Sequence, residues 1–366
     1  MFDRQDETLI SSQELGTLER LGFTSHFLQQ FQGHAGPGTL PGRVARVDAQ
    51  GCTLLTASGE ARARVPKRLA RKTPPVVGDW VSAREDGGEL RVRRILERVT
   101  SLTRRAAGGD GRPQTLAANL DLVMITCGLD RDFNVGRIER WLTLVHEGGA
   151  RPIVLLTKAG TVSAEQREQS LVEAKAVALE VEVLAIDVLA GFGLDALELA
   201  LSRGRTLAFV GSSGVGKSTL VNYLSGGQTM STQSISAAHG KGRHTTSHRE
   251  LVALAGRENL VIDTPGLREV GLWGGGEGLD ATFMEITQTA RDCRFSDCAH
   301  AGEPGCAVQA AVERGELDPR RLEARARLAE EQEATARRAN EHTRRAYERS
   351  FAKHLRRTLE AKSRKR

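Results

Sequence analysis

The 366-residue sequence predicts a multidomain chain: a small closed β-barrel, a central α/β domain of the phosphate-loop type, and a C-terminal helical domain organised by a cysteine/histidine cluster. Three observations predict it. Residues 40–103 fall into short alternating runs broken by Gly, Asp and Pro. Apolar strand-like runs then alternate with helical stretches around GSSGVGKS at 211–218. Three of the five cysteines crowd between Cys293 and Cys306. No apolar run reaches the ~18 residues of a membrane span. The acidic opening MFDRQDETLI lacks the charged-then-apolar order of a secretory signal, so a cytoplasmic location is the default expectation.

Residues 1–39, an N-terminal extension, show weak helical periodicity (LGTLERLGF, HFLQQF) and end in the turn-rich GHAGPGTLPG. Within 40–103, GRVARVD, CTLLTA, EARARVP, DWVSARE and ELRVRRIL are short alternating runs that indicate a small all-β barrel or sandwich. A five-stranded barrel of the oligonucleotide-binding type suits their length and their arginines: Arg43, Arg46, Arg62, Arg64, Arg68, Arg71, Arg91, Arg93 and Arg94. Composition alone equally allows a generic solvated β-domain. The net charge of +6 points toward a polyanion such as nucleic acid. Cys52 and Cys127 stand alone in strand-like runs and read as small buried residues.

Residues 104–115 form a linker, and the α/β domain spans 116–275. LDLVMITC (120–127), RPIVLLTK, VEVLAID (181–187), TLAFV and ENLVID are its strands. GRIERWLTLVHEGG (136–149) has helical spacing, with Ile138, Trp141, Leu142 and Val145 on one face. Such alternation specifies a mostly parallel sheet with helices on both faces.

Gly211, Ser212, Ser213, Gly214, Val215, Gly216, Lys217, Ser218 and Thr219 carry the phosphate-loop pattern G-x-x-x-x-G-K-[ST]. The glycines let successive backbone N–H groups face one anion, and the following helix adds its N-terminal dipole. Lys217 is expected on the β- and γ-phosphates and Ser218 on Mg²⁺. In VIDTPG (261–266), Asp263 is expected to hold Mg²⁺ through water and the Gly266 N–H to reach the γ-phosphate. Between them, GKGRHTTSHREL (240–251) offers Thr245 or Thr246 as a switch threonine that meets Mg²⁺ and the γ-phosphate. An exposed basic loop on RNA phosphates is the other reading of that stretch.

Guanine is commonly read by N-K-x-D after an apolar strand. Nothing of that kind follows DTPG, but IVLLTKAG (153–160) precedes the phosphate loop in the right context, with DVLAGFGL (187–194) after the next strand. The order is therefore base reader, phosphate loop, switch, D-x-x-G: a circularly permuted GTPase. At this point the chain resembles the ribosome small-subunit-dependent GTPases, bacterial ribosome biogenesis factors. The resemblance covers about residues 10–366 through PGRV (41–44), PPVVGDWV (74–81), QTLAANLDLV (114–123), the phosphate loop, GRHTT (242–246), DTPG with REVGL (268–272), and the cysteine/histidine cluster. It implies an N-terminal oligonucleotide-binding barrel, a permuted GTPase domain and a C-terminal zinc-binding helical domain. It also implies binding to the small ribosomal subunit and its rRNA late in assembly, with hydrolysis of GTP to GDP stimulated by that subunit. A monomer is the simpler expectation.

The chain departs from the family's base reader. Thr157-Lys158-Ala159-Gly160 replaces N-K-x-D, and Asp187-Val188 stands where Ser-Ala is usual. Gly160 lacks the carboxylate that accepts from guanine N1–H and N2–H, a contact of ~1.5–3 kcal/mol. GTP with weakened base discrimination is the resulting expectation. Lys158 is expected along the base plane, and N–H groups near Ala190–Gly191 on the guanine oxygen. Leu267 follows DTPG where a water-orienting glutamine is common, so slow hydrolysis in isolation is expected. His244 is the candidate for orienting water; contact with RNA or solvent is its alternative role.

The C-terminal domain spans 276–366. Cys293, Cys298, His300 and Cys306 make a closed Cys₃His set for one structural Zn²⁺. Residues 322–336 read as a mixed-charge helical spacer. From Arg337 to Arg366 bases greatly outnumber acids, a tail suited to rRNA phosphates. The rival to an enzyme is an rRNA-binding scaffold gated by nucleotide with little hydrolysis. A metabolic kinase would leave both basic flanks unexplained.

Overall fold

The computed structural model describes residues 10–105, 113–202, 204–226, 249–263 and 271–363, with side chains up to 341. Among the described residues no helix is long and apolar enough to cross a membrane. The chain divides into two compact units: Met1–Leu102 with Thr115–Glu269, and Thr103–Gln114 with Val270–Arg366.

The first unit opens with α1 (Ser12–Arg20) and α2 (Ser25–Gln32). A capping box starts α1: the Ser11 side chain accepts from Glu14 N, and Glu14 reaches back to the Ser11 N–H. Phe23, Phe27 and Phe31 from this pair pack with Leu18 and Leu96 around Trp80. The two helices of the N-terminal extension thus cover the barrel wall.

The barrel strands are β1 (Thr39–Asp48), β2 (Gly51–Thr56), β3 (Gly59–Arg64), β4 (Trp80–Asp86) and β5 (Glu89–Ile95), with α3 (Lys67–Lys72) between β3 and β4. They run in the order β1-β2-β3-β5-β4, and β4 closes back on β1. β3 and β5 are parallel and the other neighbours antiparallel. Alternate residues Val44, Cys52, Leu54, Ala63, Val81, Ala83 and Val92 fill the interior. The expected five-stranded barrel is therefore present. β6 (Ser101–Arg105) and β7 (Pro113–Ala118) pair as a separate ribbon.

The α/β part contains β8 (Leu122–Gly128), α4 (Val135–Glu147), β9 (Arg151–Thr157), α5 (Ala164–Val177), β10 (Glu182–Ala185), α6 (Leu194–Leu201), β11 (Thr206–Val210), α7 (Lys217–Leu224), β12 (Glu250–Ala253) and β13 (Leu260–Asp263). Its strand order is β10-β9-β8-β11-β13-β12, parallel except for β12. Leu122, Met124, Ile153 and Leu155 face the side covered by α6 and α7, while α4 and α5 pack on the other side. β12 joins the barrel through the pair Arg46↔Glu250.

Three motifs of the resemblance meet in one buried knot at the junction of barrel and α/β part. Arg43, 1% exposed, donates to the carbonyls of Leu21, Gly78 and Asn119. Asn119 Nδ2 donates to Gly78 O at 3.0 Å. Gly78 has φ +92°, and a Cβ there would lie 2.1 Å from Ala118 O. Asp79 accepts from Val76 N and from both Nε and Nη2 of Arg98. Arg43 is thus a structural cation, not an RNA-facing one, and burial lowers its pKa to about 10.

In the second unit α8 (Glu277–Thr282), α9 (Met284–Ala290), α10 (Ala307–Glu313) and α11 (Pro319–Ser363) surround Phe283, Ile286, Val308 and Leu328. Residues 322–336 are not a spacer. Arg321, Ala324, Leu328, Gln332 and Thr335 are all buried and recur every three or four residues, forming one helical stripe. The mixed charges mask a core face whose apolar members are few. Arg321 caps the stripe: its guanidinium lies 4.3 Å from the Phe283 ring centre and donates to Glu285 and the Thr282 carbonyl.

Candidate functional site

The phosphate loop joins β11 to α7 at the carboxyl edge of the parallel sheet, where open α/β sheets bind ligands. Gly211, Gly214 and Gly216 all have positive φ, at +138°, +80° and +96°. At Gly211 space is decisive as well, since a Cβ would lie 2.1 Å from Thr126 O. Lys217 Nζ bends back over the loop to the carbonyls of Gly211, at 2.8 Å, and Ser212. Ser218 and Thr219 stand in the first turn of α7. Ser213 and Gly214 are exposed, whereas Val215 is buried. Asp263 ends β13, which lies beside β11 with Ala208↔Ile262 in register, so its backbone stands level with Phe209, two residues before the loop. Gly266, His244, Thr245 and Thr246 lie outside the described residues.

The base-reading segment leaves the end of β9 in the same edge. Thr157 is buried and its Oγ1 donates to Val215 O at 2.6 Å, tying this strand to the phosphate loop. The hydroxyl thus supplies a hydrogen bond where the usual residue is Asn. Lys158 takes a left-handed turn, φ +60°, and pairs with Asp130 at 2.6 Å. That ammonium holds the Asp130 carboxyl below the usual carboxylate range. Ala159 is fully buried, with its N–H on Ile186 O. Gly160 N donates to Asp187 Oδ2 at 3.0 Å. Asp187 Oδ1 accepts from Leu189 N at 3.0 Å and Ala190 N at 3.1 Å. The Ala190 N–H, expected on the guanine oxygen, is engaged by this carboxylate, because an aspartate folds readily onto the N–H groups two and three residues ahead.

Two further residues at this edge escaped sequence reasoning. Arg137 donates to Ser212 Oγ at 2.6 Å and pairs with Asp132, and Asp130 is the partner of Lys158. Asp130 lies just past β8 and Arg137 in the first turn of α4, so their signal was their place where a parallel strand hands over to its helix.

The second unit brings Cys293, Cys298, His300 and Cys306 together, with all ligand atoms within 4.8 Å of one another. Cys293 Sγ lies 4.0 Å from Cys306 Sγ and 3.7 Å from His300 Nδ1, and Cys306 Sγ lies 3.5 Å from His300 Nδ1. Tetrahedral zinc, with Zn–S about 2.3 Å and Zn–N about 2.0 Å, separates donors by roughly 3.5–3.8 Å. The donor set and its spacing fit that ion. Glu303 shapes the turn by accepting from the Ala299 and Ala301 N–H groups at 3.0 and 2.8 Å. His300, Gly302 and Gly305 take positive φ, which folds Cys306 back toward Cys293.

The barrel arginines divide into groups. Arg62, Arg64, Arg91 and Arg93 pair with Asp48, Glu89 and Asp86. Arg46, Arg68, Arg71 and Arg94 are exposed and make no ion pair among the described residues. The tail from Arg337 continues α11 as helix to Ser363.

A model of the RsgA GTPase family matches residues 95–273. The small ribosomal subunit biogenesis GTPase RsgA of Syntrophotalea carbinolica is 45% identical over 320 residues, covering 84% of this chain and 87% of that protein. Its namesake from Opitutus terrae is 43% identical over 340 residues, covering 88% and 92%. Among solved structures, YjeQ from Thermotoga maritima superposes with a TM-score of 0.60 at 23% identity, covering 79% of this chain and 97% of that one. YloQ, described as a circularly permuted GTPase, gives 0.58 at 24% identity, covering 81% and 96%. These two likenesses establish the permuted fold.

Proposed function

This chain belongs to the RsgA GTPase family, and from that premise we propose that it binds the small ribosomal subunit and assists its late maturation by hydrolysing GTP to GDP and phosphate. The observation that carries the reading is the joined edge of the sheet: a glycine-built phosphate loop with Lys217 across it, tied through Thr157 to the base-reading strand.

The backbone N–H groups of Gly214 to Ser218 cradle the phosphates, and Lys217 neutralises charge on the β- and γ-phosphates. Mg²⁺, when bound, would supply positive charge to offset what develops on the phosphates. Ser218, Asp263 and Thr245 are its holders in this reading, with Thr246 the alternative switch residue. Water attacks the γ-phosphorus, the bond to the β–γ bridging oxygen breaks, and GDP leaves. His244 orients that water, since Leu267 cannot; turnover in isolation is slow and the subunit raises it by ordering the loop that carries His244.

The Cys₃His cluster holds one structural zinc ion, leaving no open position for chemistry. The exposed barrel arginines and the basic tail grip rRNA phosphates, with affinity that falls as salt rises. The chain acts as a cytoplasmic monomer. The test is GTP hydrolysis by the purified protein with and without small ribosomal subunits. Strong stimulation is expected; nucleotide binding without stimulation would replace this reading with that of a nucleotide-gated scaffold.

A further inference from the structure

The base-reading loop has lost its carboxylate at position 160, yet the space beside that position is occupied by one. A Cβ on Gly160 would lie 3.0 Å from Asp187 Oδ2, 3.3 Å from the Ala190 Cβ and 3.5 Å from Asp187 Cγ. Gly160 does not have the positive φ that demands glycine. A side chain there would press on the Asp187 carboxylate, which would have to give by a few tenths of an ångström. The two departures from the family pattern, Gly for Asp at 160 and Asp for Ser at 187, therefore meet in space across 27 residues of sequence, an exchange of one carboxylate position for another.

The exchange keeps the chemistry. Asp187 is 8% exposed and follows β10, which neighbours β9 in the parallel sheet. An ionised carboxylate accepts at about four lone-pair positions. Three are filled here: Leu189 N and Ala190 N on Oδ1, Gly160 N on Oδ2. One acceptor position remains on Oδ2, the oxygen that faces position 160. We propose that Asp187 reads the guanine base, Oδ2 accepting from the N1–H/2-amino edge in place of the missing residue-160 carboxylate. This deepens the GTPase reading and rests on it. It replaces the expectation of weakened base discrimination with that of retained guanine selectivity.

At the edge facing this carboxylate guanine and xanthine differ at C2, an amino donor in one and a carbonyl acceptor in the other. A carboxylate at this edge accepts from the first and repels the second. The experiment measures dissociation constants of GDP, XDP and ADP for the full-length protein. The wild type binds GDP at least roughly tenfold tighter than XDP, the scale of one charge-assisted hydrogen bond. Asp187→Ser keeps a side-chain oxygen that can accept from the Leu189 and Ala190 N–H groups, so the turn survives. In it the GDP:XDP ratio falls by about tenfold or more, with XDP affinity unchanged or raised. Gly160→Asp/Asp187→Ser returns the carboxylate to position 160 and restores the ratio, whereas Gly160→Asp alone crowds two carboxylates and weakens GDP.

A wild-type ratio near one, or an Asp187→Ser ratio equal to that of the wild type, overturns the proposal. Should Asp187→Ser bind no nucleotide, the double variant decides: recovery of guanine selectivity supports the exchange and no recovery overturns it. Wild-type protein that binds neither GDP nor ADP would overturn the GTPase reading itself, and this inference with it.

Discussion

The phosphate loop and the base-reading loop share one edge of one parallel sheet, yet they obey different rules. In the proposed reading the first recognises its ligand with backbone. Its glycines are required by positive φ and, at Gly211, by a carbonyl 2.1 Å from any Cβ. No residue elsewhere can substitute for a missing backbone N–H, so the pattern stays intact. In the same reading the second recognises its ligand with side chains. A carboxylate can arrive from any segment that ends beside the base, and here the available one comes from residue 187 rather than 160. The cysteine/histidine cluster is a third case: it too is made of side chains, but all four come from one short stretch and their spacing stays visible.

Metal removal should give the largest effect. Cys298→Ser, or treatment with a strong chelator, is expected to release one zinc per chain by elemental analysis and to lower the unfolding temperature of the second unit. Structural zinc contributes on the order of 10 kcal/mol. Unchanged stability with no zinc in the untreated protein would remove the metal from the account.

The next pair tests the contrast directly. Gly211→Ala forces a Cβ into the Thr126 carbonyl and should weaken GDP binding by more than about a hundredfold, since the backbone must move by more than its neighbours allow. Gly160→Ala meets only the Asp187 side chain and the Ala190 methyl, at 3.0 and 3.3 Å. It should shift the GDP:XDP ratio by roughly threefold and leave affinity for phosphate analogues alone. Equal losses in both variants, measured by titration calorimetry, would erase the distinction between backbone and side-chain recognition.

Thr157→Val probes the tie between the two loops. It leaves the Val215 carbonyl without its 2.6 Å donor at a site 4% exposed. A cost of about 1–2 kcal/mol, or near tenfold weaker GDP binding, is expected. A fall in base selectivity without a fall in affinity would mean that the hydroxyl serves the base side alone.

The smallest effect concerns Cys127, beneath the same edge. Burial pushes its thiol from 9.0 up to about 11. The folded chain holds this proton more tightly than the unfolded one. Its contribution to stability is therefore complete below pH 9 and lost as pH rises toward 11. The urea midpoint of the wild type should fall more steeply across that window than that of Cys127→Ala; parallel curves would show that the thiol titrates normally.

Where a segment's own periodicity or a contiguous motif carried the information, the sequence was sufficient. Five alternating runs specified the barrel, and GSSGVGKS specified a strand, a loop and a helix with their ligand class. Cys293 to Cys306 specified a Cys₃His cluster able to hold a metal for the same reason: backbone geometry and short loops bring near neighbours together whatever the rest of the chain does. Tertiary structure decided what depends on packing between distant segments. Arg43 looked like one more arginine of a basic barrel until the carbonyls of Leu21, Gly78 and Asn119 enclosed it. Residues 322–336 looked like a charged spacer because the buried stripe there includes Gln332 and Thr335, whose polarity hides the period. Gly160 and Asp187 looked like two separate departures from a pattern, and only the pairing of β9 with β10 places one in the space left by the other. Local periodicity is written in the chain, whereas the partner of a buried charge is chosen by whichever strand ends next to it.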